Sequence, residues 1–235
     1  MIGASLIIAA AQPRCEPKDV SANARSHDEA IREAQARVVV FPELSLTGYE
    51  LDADPVSLTD GALRPIVDAC AQSDSIAFVG APVEGDGARW IAMLRVDGAG
   101  AAVAYRKSYL GGDESARFSA GDGATVVDVD GWRLGLGLCR DTGVPEHTAA
   151  TAELGIDVYV AGLVHAPEEL DEQDARGPRI AAACGAHVAF ASFAGPTGGG
   201  YPATAGRSTI WSPDGDVLAR ANSAPGAIAR AAIGM

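Results

Sequence analysis

Eleven short apolar runs, rich in Val, Ile, Phe and Tyr, are the feature that most constrains how this chain can fold. Their composition and their length of about 4–8 residues favour β-strands over helices. The chain is therefore expected to be built around β-sheets. The runs span residues 5–12, 37–43, 76–84, 89–96, 101–107, 125–131, 133–139, 157–165, 187–193, 208–213 and 216–221.

Helical patterns separate the outer runs, whereas residues 76–107 pass directly from strand to strand. Apolar residues recurring at helical spacing place His27 and Cys70 on core-facing sides. The Asp-Gly pair within residues 212–217 predicts a hairpin turn. This order favours an α/β protein with sheets inside and helices outside. Helices are expected near residues 20–34, 63–70, 145–154 and 170–184.

Composition excludes several classes of partner. The 235 residues carry a formal net charge of −13, which argues against binding to nucleic acid, because such binding depends on Lys and Arg neutralising phosphates. No apolar run is long enough to span a membrane, which takes about 18 residues or more. The cysteines lie far apart without a CxxC pair, which favours a reduced, cytoplasmic protein. They are Cys15, Cys70, Cys139 and Cys184.

Cys139 ends an apolar run and is followed at once by a polar turn, residues 140–142. Pro145 then begins a helix. This placement gives a thiol a rigid base, one open side and nearby backbone N–H groups, which are conditions for a nucleophile of low pKa and for an oxyanion hole. The alternative is that Cys139 is simply a small core residue.

Glu43 and Lys107 also lie where apolar runs end. Burial beside Phe41 and Leu44 would raise the pKa of the Glu43 carboxyl and suit it to act as a general base. Only two of the 18 basic residues are Lys, so a lysine at position 107 stands out. Each charge could alternatively be an ordinary strand-end group reaching water.

A base, a cation and a thiol at three strand ends are the groups needed to attack a carbonyl. No GxSxG or HExxH motif and no His or Cys spacing typical of a metal site is present, so no metal and no cofactor are expected. The four histidines are scattered along the chain, which leaves a Cys–His pairing open.

Six segments resemble motifs of the nitrilase superfamily, the carbon–nitrogen hydrolases. The resemblance implies a four-layer αββα sandwich, one carbon–nitrogen hydrolase domain over residues 1–235, and assembly as a homodimer or a higher homo-oligomer. The segments are FPELSLTGYE (41–50), YRKSYL (105–110), DESARFSAGDG (113–123), GLGLCRDTGVPE (135–146), SFAGPTGGG (192–200) and GRSTIWSPDGDVLARA (206–221).

By this resemblance, Glu43 is the general base, Lys107 stabilises the oxyanion and Cys139 is the nucleophile. Glu114 matches a second glutamate that positions the lysine. The backbone N–H of Arg140 would be a further oxyanion donor.

The resemblance implies an amidase rather than a nitrilase, because Arg140-Asp141 stand where nitrilases carry Trp-Glu. The expected substrate is a small linear amide or an N-carbamoyl compound. The Arg140 side chain could attract an anionic one, or it could form a salt bridge to a neighbouring acid. Tyr49 and Thr197 are candidates for lining the pocket, and the alternative is that they are core or loop residues without a function. The chain departs from the family pattern at Arg140, at Gly143-Val144 and at Ser192.

Two other functions stay open. One is a Cys–His hydrolase similar to glutamine amidotransferases, with His165 or His147 as the base. The other is a catalytically silent binding protein on the same fold.

Overall fold

The computed structural model describes residues 5–59 and 61–234, and its strands form two six-stranded sheets. The first sheet contains β1 (Ser5–Ala11), β2 (Val38–Val40), β3 (Ile76–Gly85), β4 (Ala88–Asp97), β5 (Gly100–Arg106) and β12 (Ile228–Gly234). The second contains β6 (Thr125–Val129), β7 (Trp132–Leu138), β8 (Val158–Leu163), β9 (His187–Ser192), β10 (Thr209–Trp211) and β11 (Val217–Arg220).

The helices begin and end where local chemistry requires. Asp19 caps the first helix by accepting a hydrogen bond from Ala22 N at 2.9 Å. Pro145 occupies the first turn of its helix, where the missing N–H costs nothing. Gly185 ends the last helix in the left-handed conformation. The helices are α1 (Val20–Ala34), α2 (Arg64–Ser73), α3 (Gly112–Ser115), α4 (Pro145–Glu153) and α5 (Leu170–Cys184), with 3₁₀ turns at Gly61–Leu63, Cys139–Gly143 and Pro167–Glu169.

Both sheets have the same plan. In the first, the order is β12-β1-β2-β3-β4-β5, with β1, β2 and β3 parallel and the outer pairs antiparallel. In the second, the order is β11-β10-β9-β8-β7-β6, with β7, β8 and β9 parallel at the centre. The carboxyl ends of the central parallel strands therefore meet at one edge of each sheet.

The two sheets pack face to face and the helices cover their outer faces. Strand alternation separates the layers: Ile8 of β1 lies in the core between the sheets, whereas its neighbour Ala9 lies in the core beneath α1 and α2. Ile180 of α5 packs on the outer face of the second sheet. The expectation of a four-layer αββα sandwich is confirmed.

Most expected elements are present, with two informative differences. Strand β12 was not expected, because the run of small residues over 228–234 gives only a weak strand pattern; it pairs with the whole of β1. The run 37–43 forms a strand only over Val38–Val40. Pro42 has no N–H to donate and Leu44 has a φ of 53°, so the chain turns out of the sheet there.

Two expectations about single residues are confirmed. His27 is fully buried in α1, and Cys70 of α2 is 1% exposed within the core beneath the helices. Among the described residues, no helix is both long enough and apolar enough to cross a membrane.

Two glycines allow the turn after β2 to lie between the sheets. A Cβ on Gly80 of β3 would overlap Pro42 O and Leu44 N. A Cβ on Gly162 of β8 would lie 2.6 Å from Phe41 O and 2.7 Å from Glu43 N. Strands from both sheets thus press directly on the backbone that carries Glu43.

Gly162→Ala should therefore destabilise the protein. Because the atoms in the way are backbone, they cannot rotate aside, and overpacking of this kind costs about 1–3 kcal/mol. The midpoint of thermal unfolding should fall by about 2–4 °C for each kcal/mol lost. Gly61→Ala is the matched control, since a Cβ there meets nothing within 4 Å. Equal melting temperatures for the two variants would contradict the prediction.

Candidate active site

Glu43 lies just beyond β2, fully buried between the sheets. Its Oε1 is 2.8 Å from Lys107 Nζ, an ion pair by distance, yet neither carboxylate oxygen meets hydrogen-bond geometry with any described residue. Burial raises the pKa of the Glu43 carboxyl well above its ordinary value, and the nearby Lys107 charge only partly opposes this effect. The carboxylate is therefore a stronger base than usual.

Lys107 directly follows β5, and its ammonium lies between two carboxylates. Nζ is 2.8 Å from Glu43 Oε1 and 2.7 Å from Glu114 Oε1, and the lysine side chain is 2% exposed. Burial alone would lower the pKa of Lys107, but the negative charges around it outweigh burial and raise the pKa above its ordinary value. The lysine consequently stays protonated.

Glu114, in the short helix α3, holds the lysine through a complete set of hydrogen bonds. Its Oε1 accepts from Lys107 Nζ and from the Tyr49 hydroxyl at 2.6 Å, and its Oε2 accepts from Gly111 N at 2.6 Å. Burial would raise the pKa of Glu114, but the Lys107 charge and these donors lower it below its ordinary value. Glu114 is thus a fixed carboxylate, unlike Glu43.

Cys139 begins the 3₁₀ turn after β7 and is partly exposed. Its φ of 36° is left-handed, a conformation that costs a non-glycine residue about 1–3 kcal/mol and is characteristic of functional sites. The sulfur lies 3.3 Å from Val164 O. The charge of Lys107 acts to lower the pKa of the thiol, which links the sulfur electrostatically to the ammonium.

The expected low pKa of the Cys139 thiol is wrong for this arrangement. Burial raises its pKa, and the opposing charge of Lys107 is already shared with two carboxylates. A thiol in this state needs a base to ionise it. Glu43, whose pKa is also raised, is such a base, because its proton affinity is closer to that of the thiol than an ordinary carboxylate's is.

Asp141 connects the turn of Cys139 to the strand of Lys107. Its Oδ2 accepts from Leu138 N at 2.9 Å and from the Tyr105 hydroxyl at 2.8 Å, and its Oδ1 accepts from Tyr109 N at 2.9 Å. The two tyrosines lie two residues before and two residues after the lysine. Asp141 therefore fixes the position of Cys139 relative to Lys107.

The other expected site residues, Tyr49, Thr197 and Arg140, differ in how close they lie to the catalytic candidates. The hydroxyl of Tyr49 contacts Glu114, so Tyr49 belongs to the site. Thr197 is fully buried, and its hydroxyl points towards Cys15. Its backbone carbonyl accepts a hydrogen bond from Tyr49 N at 2.9 Å, so Thr197 positions the backbone of Tyr49. The Arg140 side chain is exposed, and within the described residues no carboxylate lies within 4 Å of its guanidinium.

Tyr201 is a site residue that the sequence did not single out. It lies in the glycine-rich loop of residues 196–208, and its ring meets that of Tyr49 edge-on at 5.3 Å. Burial raises its pKa to about 12, and negative charge on Cys139 and on the site carboxylates adds to this effect. The available signal was an aromatic residue within a loop of glycines, which is typical of a segment near a site.

The histidines that could have served as a base are engaged elsewhere. His165 Nδ1 is 3.1 Å from Gln173 Oε1, and its Nε2 is 3.3 Å from Arg176 Nη1. Both ring nitrogens of His147 lie against tyrosine hydroxyls. Burial lowers the pKa of both rings. In the part of the chain that the structure describes, no three His, Cys, Asp or Glu side chains are grouped so as to hold a metal ion.

Comparison with known proteins gives a consistent result. A family model described as carbon-nitrogen hydrolase matches residues 7–234. A hydrolase encoded in the 5′ region of pqqF in Pseudomonas protegens is 30% identical over 222 residues, covering 88% of this chain and 76% of that protein. Omega-amidase YafV of Escherichia coli K12 is 27% identical over 209 residues, covering 87% of this chain and 80% of that protein.

A similar solved structure is a cysteine-to-alanine mutant of the amidase from Nesterenkonia sp. AN1, in complex with butyramide. It superposes with a TM-score of 0.88 at 25% identity, covering 99% of this chain and 92% of that chain. The similarity therefore includes both sheets and the segments that carry the site.

The raised pKa of Glu43 predicts how activity depends on pH. If ionised Glu43 is the base, activity is lost as the pH falls through its folded-state pKa, which lies above the ordinary value of 4.5. The acid limb of kcat/KM against pH should consequently have its midpoint above that value. A limb centred at the ordinary glutamate pKa would contradict a base desolvated in this way.

Tyr49→Phe tests the hydrogen bond that fixes Glu114. A hydrogen bond to a charged group contributes about 1.5–3 kcal/mol, so kcat for amide hydrolysis should fall about tenfold or more. Tyr109→Phe is the control, because Tyr109 is 37% exposed and contacts the site network through its backbone. Similar turnover in the two variants would contradict the role of the Tyr49 hydroxyl.

Proposed function

The chain belongs to the carbon–nitrogen hydrolase family, and from that premise we propose that it hydrolyses a small linear amide or N-carbamoyl compound through a thioester on Cys139. The observation that carries the proposal is the Lys107 ammonium, 2.8 Å and 2.7 Å from two buried carboxylates. A substrate carbonyl beside it would meet charges that little water screens. This geometry supports a Glu43–Lys107–Cys139 catalytic set with Glu114 positioning the lysine.

The first half of the reaction acylates the enzyme. Glu43 accepts the thiol proton while the Cys139 sulfur bonds to the carbonyl carbon and the carbonyl π electrons move onto oxygen. The Lys107 ammonium and the backbone N–H of Arg140 stabilise that oxyanion. When the tetrahedral intermediate collapses, the C–N bond breaks, Glu43 returns its proton to nitrogen, and ammonia or an amine leaves behind a thioester.

The second half restores the thiol. Glu43 accepts a proton from water, whose oxygen attacks the thioester carbon, and the same two donors stabilise the second oxyanion. The C–S bond then breaks, the acid product leaves, and the proton held by Glu43 returns to sulfur. Loss of one oxyanion donor in such a site costs about 2.7–4 kcal/mol, or about 10²–10³ in kcat.

Several features support a small substrate. The ring of Tyr201 lies against Tyr49, which contacts Glu114, so aromatic side chains enclose one side of the catalytic groups. The similar amidase from Nesterenkonia binds butyramide, and the Escherichia coli relative is named an omega-amidase. The exposed Arg140 guanidinium pairs with no carboxylate among the described residues, so it could meet a carboxylate at the far end of a substrate.

The two alternative functions have less support. A Cys–His hydrolase needs a free ring nitrogen near the sulfur, and those of His165 and His147 contact other groups. A binding protein without catalysis would gain nothing from fully burying Glu43 with Lys107 as its one charged partner among the described residues, because burying charges is costly to stability.

We also propose that residues 1–235 act as one catalytic domain, in the cytoplasm, as a homodimer or a higher homo-oligomer. The single domain is supported by the site itself, which takes Lys107 from the first sheet and Cys139 from the second. The cytoplasm is supported by four free cysteines. The homo-oligomer rests on the family resemblance.

Ammonia release from a panel of amides tests the proposed function. Acetamide, propionamide, butyramide, glutaramate and N-carbamoyl-β-alanine cover neutral, anionic and carbamoyl substrates of similar size. At least one should be turned over, and Cys139→Ala should reduce kcat for it by about 10⁴-fold or more, as removal of a covalent nucleophile does.

Cys70→Ala is the matched control, because Cys70 lies in the core beneath the helices. It should lower thermal stability while leaving the catalytic groups in place, so kcat should stay close to that of the natural chain. Amide hydrolysis that survives in Cys139→Ala would refute the thioester mechanism.

A further inference from the structure

Arg176 of α5 reaches from the outer helical layer to the turn that carries Cys139. Its Nη1 lies 3.5 Å from Cys139 O, 3.2 Å from Thr142 Oγ1 and 3.3 Å from His165 Nε2. The Thr142 hydroxyl in turn donates to Cys139 O at 2.7 Å. Arg176 Nη1 thus contacts the carbonyl group of Cys139, the residue with the left-handed backbone.

The hydrogen-bond pattern around His165 fixes the direction of this contact. Gln173 Nε2 donates to Gly206 O at 3.0 Å, which leaves Gln173 Oε1 as the acceptor for His165 Nδ1–H. His165 Nε2 is then unprotonated and accepts from Arg176. Burial and the Arg176 charge both lower the pKa of His165, in agreement with a neutral ring. Arg176 Nη1 therefore has a matched acceptor in His165 as well as acceptors in the turn itself.

Gly143 provides the space that the guanidinium occupies. A Cβ at position 143 would lie 3.0 Å from Arg176 Cζ and 3.0 Å from its Nη2. The φ of Gly143 is not among the positive values, so the backbone does not itself require glycine. A side chain at 143 would instead push the far end of Arg176 away from the turn.

We propose that Arg176 is a positioning residue for the nucleophile, whose guanidinium fills the space beside Gly143 and holds the strained Cys139 turn in its reactive geometry. The proposal rests on the role of Cys139 in the proposed function. Arg176 is 17% exposed and also pairs with Glu172 at 3.0 Å, which orients the guanidinium. Its charge additionally lowers the pKa of the Cys139 thiol, against the effect of burial.

Arg179 supplies a matched control on the same helix. It pairs with the same Glu172 oxygen at 3.2 Å and is 58% exposed, and in the described part of the chain its hydrogen bonds and ion pairs do not involve the Cys139 turn. Arg179→Ala removes a charge and an ion pair from α5 without touching that turn.

The test combines kinetics with alkylation of Cys139 by iodoacetamide, followed by mass spectrometry of its peptide. Arg176→Ala should lower kcat for the best amide of the panel about tenfold with little change in KM. It should also move the alkylation-rate profile to higher pH. Arg176→Lys should recover part of both effects, whereas Arg179→Ala should match the natural chain.

A double-mutant cycle tests the part played by Gly143. Gly143→Ala should lower kcat about threefold or more in the natural chain, because it displaces the guanidinium. In the Arg176→Ala background the same change should be close to neutral. If Arg176→Ala does not fold, kcat and the alkylation profile of Gly143→Ala and Arg176→Lys test the inference instead, because each of these variants keeps a cation on the helix. A loss in both measurements for Gly143→Ala supports the positioning role, and no loss contradicts it.

Three results would overturn the inference. The first is equal behaviour of Arg176→Ala and Arg179→Ala, and the second is an equal cost of Gly143→Ala in both backgrounds. The third is a lower melting temperature with an unchanged alkylation profile, which would indicate a merely structural role. Alkylation does not require turnover, so a chain that hydrolyses none of the amides refutes the proposed function while still deciding this inference.

Discussion

A single ammonium buried between two carboxylates is the interaction on which the rest of this structure depends. An unpaired charge in a protein interior costs several kcal/mol, so Lys107 can be buried only with Glu43 and Glu114 around it. Burial raises the pKa of Glu43 and of the Cys139 thiol, and the Lys107 charge only partly opposes it in each case. In the proposed mechanism the sulfur therefore becomes reactive by proton transfer to a strong base.

The three charged groups can meet because the two sheets approach closely where their parallel strands end. Gly80 and Gly162, from opposite sheets, have no side chain where the turn carrying Glu43 passes between them. The two carboxylates then differ in their surroundings. Glu114 is satisfied by three donors and is held ionised, whereas Glu43 has, among the described residues, only its ion pair with Lys107 and remains able to exchange a proton. Environment, more than residue type, gives the two glutamates different roles.

The turn that begins at Cys139 is held by contacts from two other parts of the fold. Asp141 ties it to the strand of Lys107 through backbone and tyrosine hydrogen bonds. Arg176 contacts its carbonyl side from α5, in space that Gly143 leaves open. A left-handed φ at a non-glycine residue persists only where the surroundings determine it fully, and these contacts come from elements far apart in the chain.

The sequence by itself determined the layered α/β fold, eleven of the strands, and Glu43, Lys107 and Cys139 as candidates. Each of these follows from a local pattern: the composition of a short run, or a polar residue placed where an apolar run ends. Tertiary structure alone decided the pairing of β12 with β1, the places of Tyr201 and Arg176, and the raised pKa of the thiol. Those features depend on contacts between residues distant in sequence and on the exclusion of water from the site. A local sequence pattern predicts neither.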